Sequence, residues 1–332
     1  MLDERHQIIR VPKEKGQEVL ERVKDQGILD PERMILEDED ELIIPVTEGG
    51  NDIQKNIIYR EKKKTPYEVI QDKIELEEQK KEILPDRWEI LGDIALIKLP
   101  EPLMEHKKKI GEVYADILGA KTVLLQGRIE GIKREPDVDI IYGEETETIH
   151  LENGIKYKMD TSKLMFSSGN IDERVRMSNI DVKDDIIVDM FAGIGYFTLP
   201  LAYHGTPDKI YSLEINPVSY SYLNENIELN EVEDVVETWN GDNRDFEKKG
   251  IADRIVMGYL HDTWKFLPKA LDFLNNNGII HYHSLAKDSN YPKNIKDELN
   301  KHLNQDFKID DIRKIKSYAP HVFHVVVDIE VL

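Results

Sequence analysis

The residues best suited to chemistry lie in a short turn, residues 189–195, which contains Gly193 and Gly195 and joins a predicted strand to a predicted helix over 197–203. Glycine lets the backbone adopt unusual dihedral angles and approach a ligand closely. The dinucleotide fingerprint would place a third glycine where this chain has Thr198. That difference favours S-adenosylmethionine over a nicotinamide dinucleotide, and the alternative is an ordinary tight turn that binds nothing.

Two further polar loops follow the next predicted strands. Glu214 ends one strand, and its two carboxylate oxygens could accept both hydroxyls of a ribose. Because Asn216 and Pro217 suit the start of a helix, Glu214 could instead be an acid favoured by the helix dipole. In the third loop, Asp242 and Asn243 could bind an adenine or form an ordinary polar turn. Since ligands of open α/β sheets bind at the carboxyl ends of strands, the three loops together predict an adenosyl site.

The elements that must position these loops alternate between strand and helix from about Lys183 onward, which is typical of a parallel sheet covered by helices. The final two strands leave no room for a helix between them, so we expect an antiparallel pair at one end of the sheet. The predicted strands are 186–188, 209–213, 235–238, 254–257, 279–282, 312–318 and 322–331. They predict an α/β, Rossmann-like class I methyltransferase fold with a mixed seven-stranded sheet.

Smaller N-terminal α+β domains are expected before this sheet. In the first, a helix opens at residues 11–12 and a strand covers 42–46, followed by a polar stretch typical of a linker. In the second, apolar periodicity predicts helices over 67–84 and 101–118. Strands are predicted over 90–99 and 122–125. The predicted domains are a small module over 1–48, a linker over 49–66, a middle domain over 67–165, and the Rossmann-like cofactor-binding domain over 166–332.

Composition restricts the class of protein. The 332 residues include no cysteine, which excludes disulfides, thiolate catalysis and cysteine-ligated metal sites. A net charge of −21 argues against nonspecific nucleic-acid binding, which needs basic surface. Basic clusters at residues 60–64, at 107–109 and at Arg128 with Lys133 and Arg134 are either solvated surface or local RNA contacts facing one groove. With no membrane-length apolar run and no apolar signal at the N-terminus, we expect a cytoplasmic protein.

Segments 189–200 and 213–217 resemble the archaeal and eukaryotic tRNA enzymes that modify the guanosine on the 3′ side of the anticodon. Two relatives share that fold: the tRNA guanosine N1-methyltransferase, and the tRNA wybutosine-synthesizing protein 2 family, an aminocarboxypropyltransferase. The resemblance covers nearly the whole chain, including residues 1–48 and 165–177. It implies S-adenosylmethionine as co-substrate and tRNA as partner.

Several positions favour the second relative, in its archaeal form. Tyr196 stands where the methyltransferase usually has proline, and residues 258–261 replace its Asn-x-Pro element. Residues 278–284 look like the aminocarboxypropyltransferase. Matches to family positions, together with the loop residues above, predict these cofactor-binding residues: Ser167, Arg174, Asp189, Phe191, Ala192, Gly193, Gly195, Glu214, Ile215, Asp242 and Asn243. For Ser167 and Arg174, the alternatives are a loop hydroxyl and a surface ion pair.

The acceptor pocket has four candidate residues: Tyr259, His261, His281 and His283. The last two are two apart on a predicted strand and so share a face. Tyr259 could stack on a base or pack in the core. The histidines could instead be metal ligands or hydrogen-bonded polar residues. No residue is assigned as catalytic.

By resemblance, the chain transfers the 3-amino-3-carboxypropyl group to 4-demethylwyosine at position 37 of tRNA(Phe) in wybutosine biosynthesis and releases 5′-methylthioadenosine. Catalysis would then be mainly alignment of the acceptor carbon, the γ-carbon and the sulfur. The alternatives are tRNA guanosine-37 N1-methylation, a noncatalytic tRNA-binding protein of the same fold, and a nicotinamide oxidoreductase. We expect a monomer that contacts the anticodon region of the tRNA.

Overall fold

The chain folds into two units, Met1–Glu68 and Val69–Leu332. The structure is a computed structural model that describes residues 6–54, 57–59, 64–130, 135–287 and 291–332. Among these residues, we find no helix long and apolar enough to cross a bilayer. The predicted basic cluster at 60–64 lies outside the described residues except for its last lysine, and Lys133 and Arg134 lie outside them entirely.

The first unit is a helix packed on a small antiparallel sheet with strand order β2-β3-β1-β4. Its elements are β1 (Gln7–Pro12), α1 (Lys13–Asp25), β2 (Leu36–Glu37), β3 (Glu41–Pro45) and β4 (Asp52–Ile53). The apolar face of α1, with Val19 and Val23, packs on Ile44 and Val46. Two details differ from the prediction. Val11 and Pro12 end strand β1 rather than open the helix, which begins at Lys13. The polar stretch predicted to be a linker contains β4, because the backbone of residues 52–53 pairs with β1.

The second unit begins with a four-stranded sheet of order β5-β6-β7-β8 and a separate two-stranded hairpin. The elements are α2 (Pro66–Lys73), which spans the boundary between the units, α3 (Glu78–Lys81), β5 (Trp88–Leu91), β6 (Ile94–Ile97), α4 (Lys107–Leu118), β7 (Thr122–Glu130), β8 (Glu135–Tyr142), β9 (Glu147–Glu152) and β10 (Ile155–Asp160). A 3₁₀ turn, Glu101–His106, precedes α4. The predicted strand over 90–99 is instead a hairpin, because Gly92 takes a φ of +56° and reverses the chain.

The predicted helix over 67–84 is also interrupted. It divides into α2 and α3, and the side-chain amide of Gln71 donates to the carbonyl of Lys81 across the break at 3.3 Å. Ile70, Ile74 and Leu84 are nevertheless buried, as their periodicity predicted. Apolar spacing therefore identified the residues of the core correctly but could not show where the chain turns between them.

The rest of the second unit is a seven-stranded sheet of order β13-β12-β11-β14-β15-β17-β16 within the described residues. Its elements are α5 (Ile171–Met177), β11 (Ile186–Asp189), α6 (Thr198–His204), β12 (Lys209–Glu214), α7 (Pro217–Leu229), β13 (Val236–Asn240), β14 (Ala252–Met257), α8 (Leu267–Phe273), β15 (Leu274–Lys287), α9 (Tyr291–His302), β16 (Phe307–Ala319) and β17 (Val322–Val331). The strands from β13 to β15 run parallel, and β17 runs antiparallel to both of its neighbours. The predicted antiparallel pair is present.

Two apolar clusters cover the faces of this sheet. One contains Ile187 and Ile210 and continues into the β9–β10 hairpin and the four-stranded sheet β5-β6-β7-β8. The other contains Val188, Ile255 and Val327 and packs under α8 and α9. Because parallel strands end at the same edge, the ends of β11, β12, β13 and β14 bring the three polar loops together.

Candidate functional site

The site is built on Asp189, the last residue of β11, whose side chain is fully buried. One carboxylate oxygen accepts from the Thr198 hydroxyl at 2.9 Å, and the other accepts from the Phe191 N–H at 3.2 Å. Burial raises the pKa of Asp189 to about 6, although these hydrogen bonds oppose the shift. Thr198, which stands in place of the third glycine, is the first residue of α6 and therefore connects that helix to the end of β11.

The turn after Asp189 needs both of its glycines. Gly193 and Gly195 have φ angles of +57° and +102°, which other residues rarely adopt. A Cβ atom on Gly193 would lie 2.7 Å from the ring of Tyr196, and one on Gly195 would lie 2.7 Å from Leu199. The turn thus exposes backbone where a side chain would not fit, as expected for a cradle around a ligand.

Glu214 joins the first loop to the second. Its carboxylate accepts from the Gly193 N–H and from the Asn216 N–H, each at 2.7 Å. Burial raises the pKa of Glu214, and these backbone hydrogen bonds oppose the shift. Since each carboxylate oxygen has more than one lone pair, the group is oriented and keeps capacity to accept ribose hydroxyls.

The third loop meets the other two through Asn243, whose side-chain amide donates to the Met190 carbonyl at 2.9 Å. Its Oδ1 is buried and has no hydrogen-bond partner among the described residues. Asp242 accepts from the backbone N–H and the guanidinium of Arg244. Ile215, after Glu214, is 65% exposed, as an apolar platform for a planar ring would be. The three loops therefore form one edge with donors, acceptors and an exposed apolar side chain that fit an adenosyl group.

The predicted cofactor contacts Ser167 and Arg174 have different surroundings. Arg174 is 2% exposed, and its guanidinium donates to both carboxylate oxygens of Glu152 at 2.5 and 2.7 Å. It also donates to the Ser167 carbonyl at 2.9 Å and lies over the ring of Phe166. The structure thus places Arg174 behind the Ser167 backbone, in a buried rather than a surface ion pair, while Ser167 lines a cavity.

That cavity has a volume of about 80 Å³ and lies beside the end of β14. Three of the four predicted acceptor residues, Tyr259, His261 and His283, line it together with Ser167. Tyr259 stacks on Phe191 with ring centroids 5.0 Å apart. The cavity is therefore next to the turn after Asp189, where a donor and an acceptor could meet.

His281, two residues before His283 on β15, does not line this cavity, contrary to the expectation that it belongs to the acceptor pocket. Its Nδ1 lies 2.5 Å from Asp328, and its Nε2 lies 2.9 Å from the guanidinium of Arg254. Burial lowers the pKa of His281 to about 4 in spite of Asp328. His281 instead belongs to a buried ionic cluster between β15 and β17, in which Arg176 also contacts Asp328.

Sequence reasoning missed several residues that line the cavity: Asn170, Phe197, Lys316, Tyr318 and His324. Lys316 donates to the Ser167 hydroxyl at 2.5 Å, although 149 residues separate the two in sequence. His324 lies 3.0 Å from His283 across the pairing of β15 with β17. Lys316, Tyr318 and His324 reach the cavity only through the register of β15, β16 and β17, so no local pattern could have identified them.

Outside this cavity, the described residues include a second groove and a basic cluster. A larger open groove of about 1140 Å³ is lined by residues of β5 and β9 and by acids such as Glu144 and Glu145, and it contains none of the predicted site residues. Within the described part of the chain, no cluster of three or more histidines or acids could hold a metal ion. Of the basic cluster at 107–109, Lys107 pairs with Asp139 and Lys109 with Glu75.

Comparison with known proteins assigns the family. A model described as the TRM5/TYW2 methyltransferase domain matches residues 148–310, and models of the TYW2 N-terminal domain and the tRNA methyltransferase 5 N-terminal domain match 68–146 and 9–54. A tRNA(Phe) (4-demethylwyosine(37)-C(7)) aminocarboxypropyltransferase of Pyrococcus horikoshii is 45% identical over 262 residues, which cover 77% of this chain and 93% of that protein. The chain belongs to the TRM5/TYW2 methyltransferase family.

Other members of the TRM5/TYW2 family match more of the chain at lower identity. The tRNA (guanine(37)-N(1))-methyltransferase Trm5b of Pyrococcus abyssi is 32% identical over 333 residues, covering 97% of this chain and 98% of that protein. A crystal structure of P. horikoshii TYW2 in complex with MeSAdo is similar with a TM-score of 0.73 and 42% identity, covering 80% of this chain and 98% of that one. The family resemblance and the Rossmann-like fold predicted from the sequence are confirmed.

Proposed function

We propose that this chain transfers the 3-amino-3-carboxypropyl group of S-adenosylmethionine to carbon 7 of 4-demethylwyosine at position 37 of tRNA(Phe), in wybutosine biosynthesis. The observation that carries the proposal is the 45% identity to an aminocarboxypropyltransferase across 93% of that protein's length. The sequence Gly-Tyr-Leu-His at 258–261, in place of an Asn-x-Pro element, lies in the cavity wall and supports the same reaction.

S-adenosylmethionine supplies a sulfonium that activates the adjoining carbons, and transfer of the γ-carbon group leaves 5′-methylthioadenosine. In this chain, Glu214 and the turn through Gly193 hold the adenosyl part, and Asn243 contributes a buried acceptor next to it. Tyr259, with Phe191 stacked behind it, offers an aromatic face for a base. These groups act by alignment, which is the main requirement of a displacement at carbon.

The substrate is tRNA, engaged at its anticodon region by a monomer in the cytoplasm. We keep the domain division predicted from the sequence: a small module over 1–48, a linker over 49–66 that includes the short strand β4, a tRNA-contacting middle domain over 67–165 and a catalytic domain over 166–332. Basic residues at 60–64, 107–109 and 128–134 contact the RNA locally. If charge reversal at 107–109 leaves tRNA affinity unchanged, this part of the proposal is wrong.

The deciding experiment uses tRNA(Phe) carrying 4-demethylwyosine and two preparations of S-adenosylmethionine, labelled in the carboxyl carbon or in the methyl carbon. We expect only the carboxyl label to enter the tRNA. Transfer of only the methyl label would refute the proposal and support guanosine-37 N1-methylation. Glu214→Gln should abolish transfer, whereas Glu228→Gln, an exposed change on α7, should not.

A further inference from the structure

A row of aromatic rings leads from the turn after Asp189 to the protein surface. Phe191, in that turn, stacks on Tyr259 with ring centroids 5.0 Å apart. The Tyr259 ring meets His261 edge-on at 6.0 Å, and His261 meets Tyr318 edge-on at the same distance of 6.0 Å. His261 is exposed, and Tyr318 is 41% exposed. The aromatic row is therefore half-buried at the cofactor edge of the sheet and open to solvent at its other end.

The position of Tyr318 depends on an irregularity in β16. Ser317 and Ala319 pair with Phe323 and Val322 of β17, and the register shifts between them, so Tyr318 is the extra residue of a β-bulge. Bulges redirect side chains out of the regular pleat and are frequent beside functional sites. Here the Tyr318 ring lines the mouth of the cavity, and its hydroxyl oxygen lies 3.3 Å from His261 Nε2. The strand is thus irregular at the residue that extends the aromatic row.

The exposed end of the row has the chemistry of a nucleobase platform. Every base has a π face, and proteins hold the unpaired bases of RNA loops by stacking them on tyrosine and histidine rings. The surrounding charge is compatible with RNA, because Lys316 lines the same cavity and no acid is among the described residues that line it. Asp262, next to His261, pairs with Lys265 at 2.6 Å. A polyanion can therefore approach these rings.

The length of the row exceeds what one base needs. His261 lies between Tyr259 and Tyr318, so a base that stacks on Tyr259 leaves the Tyr318 ring for a second base. We propose that His261 and Tyr318 bind the base of a nucleotide adjacent to position 37, while Tyr259 faces the target base. The inference rests on the proposed function for the identity of the RNA and of the target position. Tyr318 is then a positioning residue: by holding the neighbouring nucleotide, it fixes the backbone that carries the target base.

The test measures the affinity for tRNA(Phe) carrying 4-demethylwyosine by fluorescence anisotropy, with 5′-methylthioadenosine present so that no transfer occurs. Tyr318→Leu removes the ring and should weaken tRNA binding by about 5- to 150-fold, the value of one base stacked on an aromatic side chain. Tyr318→Phe keeps the ring and should bind within about twofold of the wild type. Both variants should bind 5′-methylthioadenosine normally in calorimetry, which shows that the fold and the adenosyl site are intact.

The matched control is Tyr203→Leu. Tyr203 is 46% exposed and also contacts a histidine ring, that of His204 at 5.0 Å, but it lies near the end of α6 away from the turn. This variant should bind tRNA like the wild type. A loss equal to that of Tyr318→Leu would overturn the proposal, because any exposed tyrosine would then have the same effect.

The deciding measurement uses three further tRNA(Phe) molecules, each lacking one base, at position 36, 37 or 38. The loss caused by Tyr318→Leu should disappear on the tRNA that lacks base 36 or on the one that lacks base 38, because the contact is already absent there, and it should persist on the tRNA that lacks base 37. The proposal is overturned if Tyr318→Leu binds the intact tRNA normally, if its loss is the same on all three molecules, or if only removal of base 37 cancels it. Since binding and not transfer is measured, the labelling experiment remains separate: entry of the methyl label alone would refute the proposed function, and these affinities would refute the role of Tyr318.

Discussion

Replacing Asp189 by asparagine should stabilise the ligand-free protein at neutral pH. The carboxylate is completely buried, and no cation is among its hydrogen-bond partners in the described residues. An asparagine oxygen can still accept from the Phe191 N–H, and its amide can donate to the Thr198 hydroxyl, which then donates to Ser212, 2.8 Å away. The variant therefore removes a buried charge while keeping the hydrogen bonds.

The expected magnitude follows from the pKa of Asp189, which burial raises from an ordinary 3.8 to about 6. At about 1.36 kcal/mol per pH unit, that difference corresponds to about 3 kcal/mol. Because the folded state holds its proton to higher pH than the unfolded state, the unfolded state is the first to ionise as pH rises. As pH rises from about 4 to about 6, the wild type thus loses about 3 kcal/mol of its free energy of unfolding, and the variant does not.

The assay is urea unfolding of the wild type and Asp189→Asn from pH 4 to pH 8. The variant should gain about 3 kcal/mol relative to the wild type across this range, with most of the change below pH 7. Asp234→Asn is the control, because it removes the same charge from an exposed position of this acidic protein. A variant that is less stable than the wild type at pH 8, or a difference that does not change with pH, would refute the reasoning.

Three further changes test the framework of the site. Arg174→Met leaves the Glu152 carboxylate buried without its partner, so urea unfolding should show that the free energy of unfolding falls by about 3–5 kcal/mol. Adding Glu152→Met should restore most of this loss. Full stability of the single variant would contradict the prediction. Gly193→Ala places a Cβ at φ +57° and 2.7 Å from Tyr196. It should cost about 1–2 kcal/mol and weaken 5′-methylthioadenosine binding, and unchanged calorimetric affinity would count against the cradle. Burial would raise the pKa of Asp328, but its hydrogen bond with a histidine and two nearby arginines hold that pKa well below 3.8. Asp328→Asn should therefore be about 2–3 kcal/mol less stable than the wild type at pH 7 in urea unfolding. This deficit should shrink as pH falls below about 4, where the Asp328 carboxyl of the unfolded wild type is protonated. A deficit that does not change with pH would disprove the coupling between Asp328 ionisation and folding.

Most of the Rossmann-like sheet could be predicted from the sequence, because each buried strand is a short apolar run and each turn carries its own signal. The strand Ile186–Asp189, the glycines at 193 and 195, and the helix start at Asn216, whose side chain accepts from Val218 N–H, are all local features. The antiparallel pair β16 and β17 followed from the short distance between them in sequence.

The N-terminal half was predicted less well, since its elements are short and depend on pairing with distant segments. β1 is a strand because it pairs with β3 and β4, and β4 is one because it pairs with β1. β5 and β6 reverse at Gly92, where alternation indicated one strand. Apolar periodicity reports which residues are buried, and it is insensitive to a turn between two buried segments.

For the site, sequence by itself determined the turn, the acidic residue after the second strand and the polar third loop, because their chemistry is set by neighbours in the chain. Only tertiary structure decided that Arg174 forms a buried ion pair with Glu152 and that His281 belongs to an ionic cluster. It also decided that Lys316 donates a hydrogen bond to Ser167. These contacts depend on strand register and on which face is buried. A change of register by one residue turns every side chain of a strand to the other face, and no local pattern encodes it.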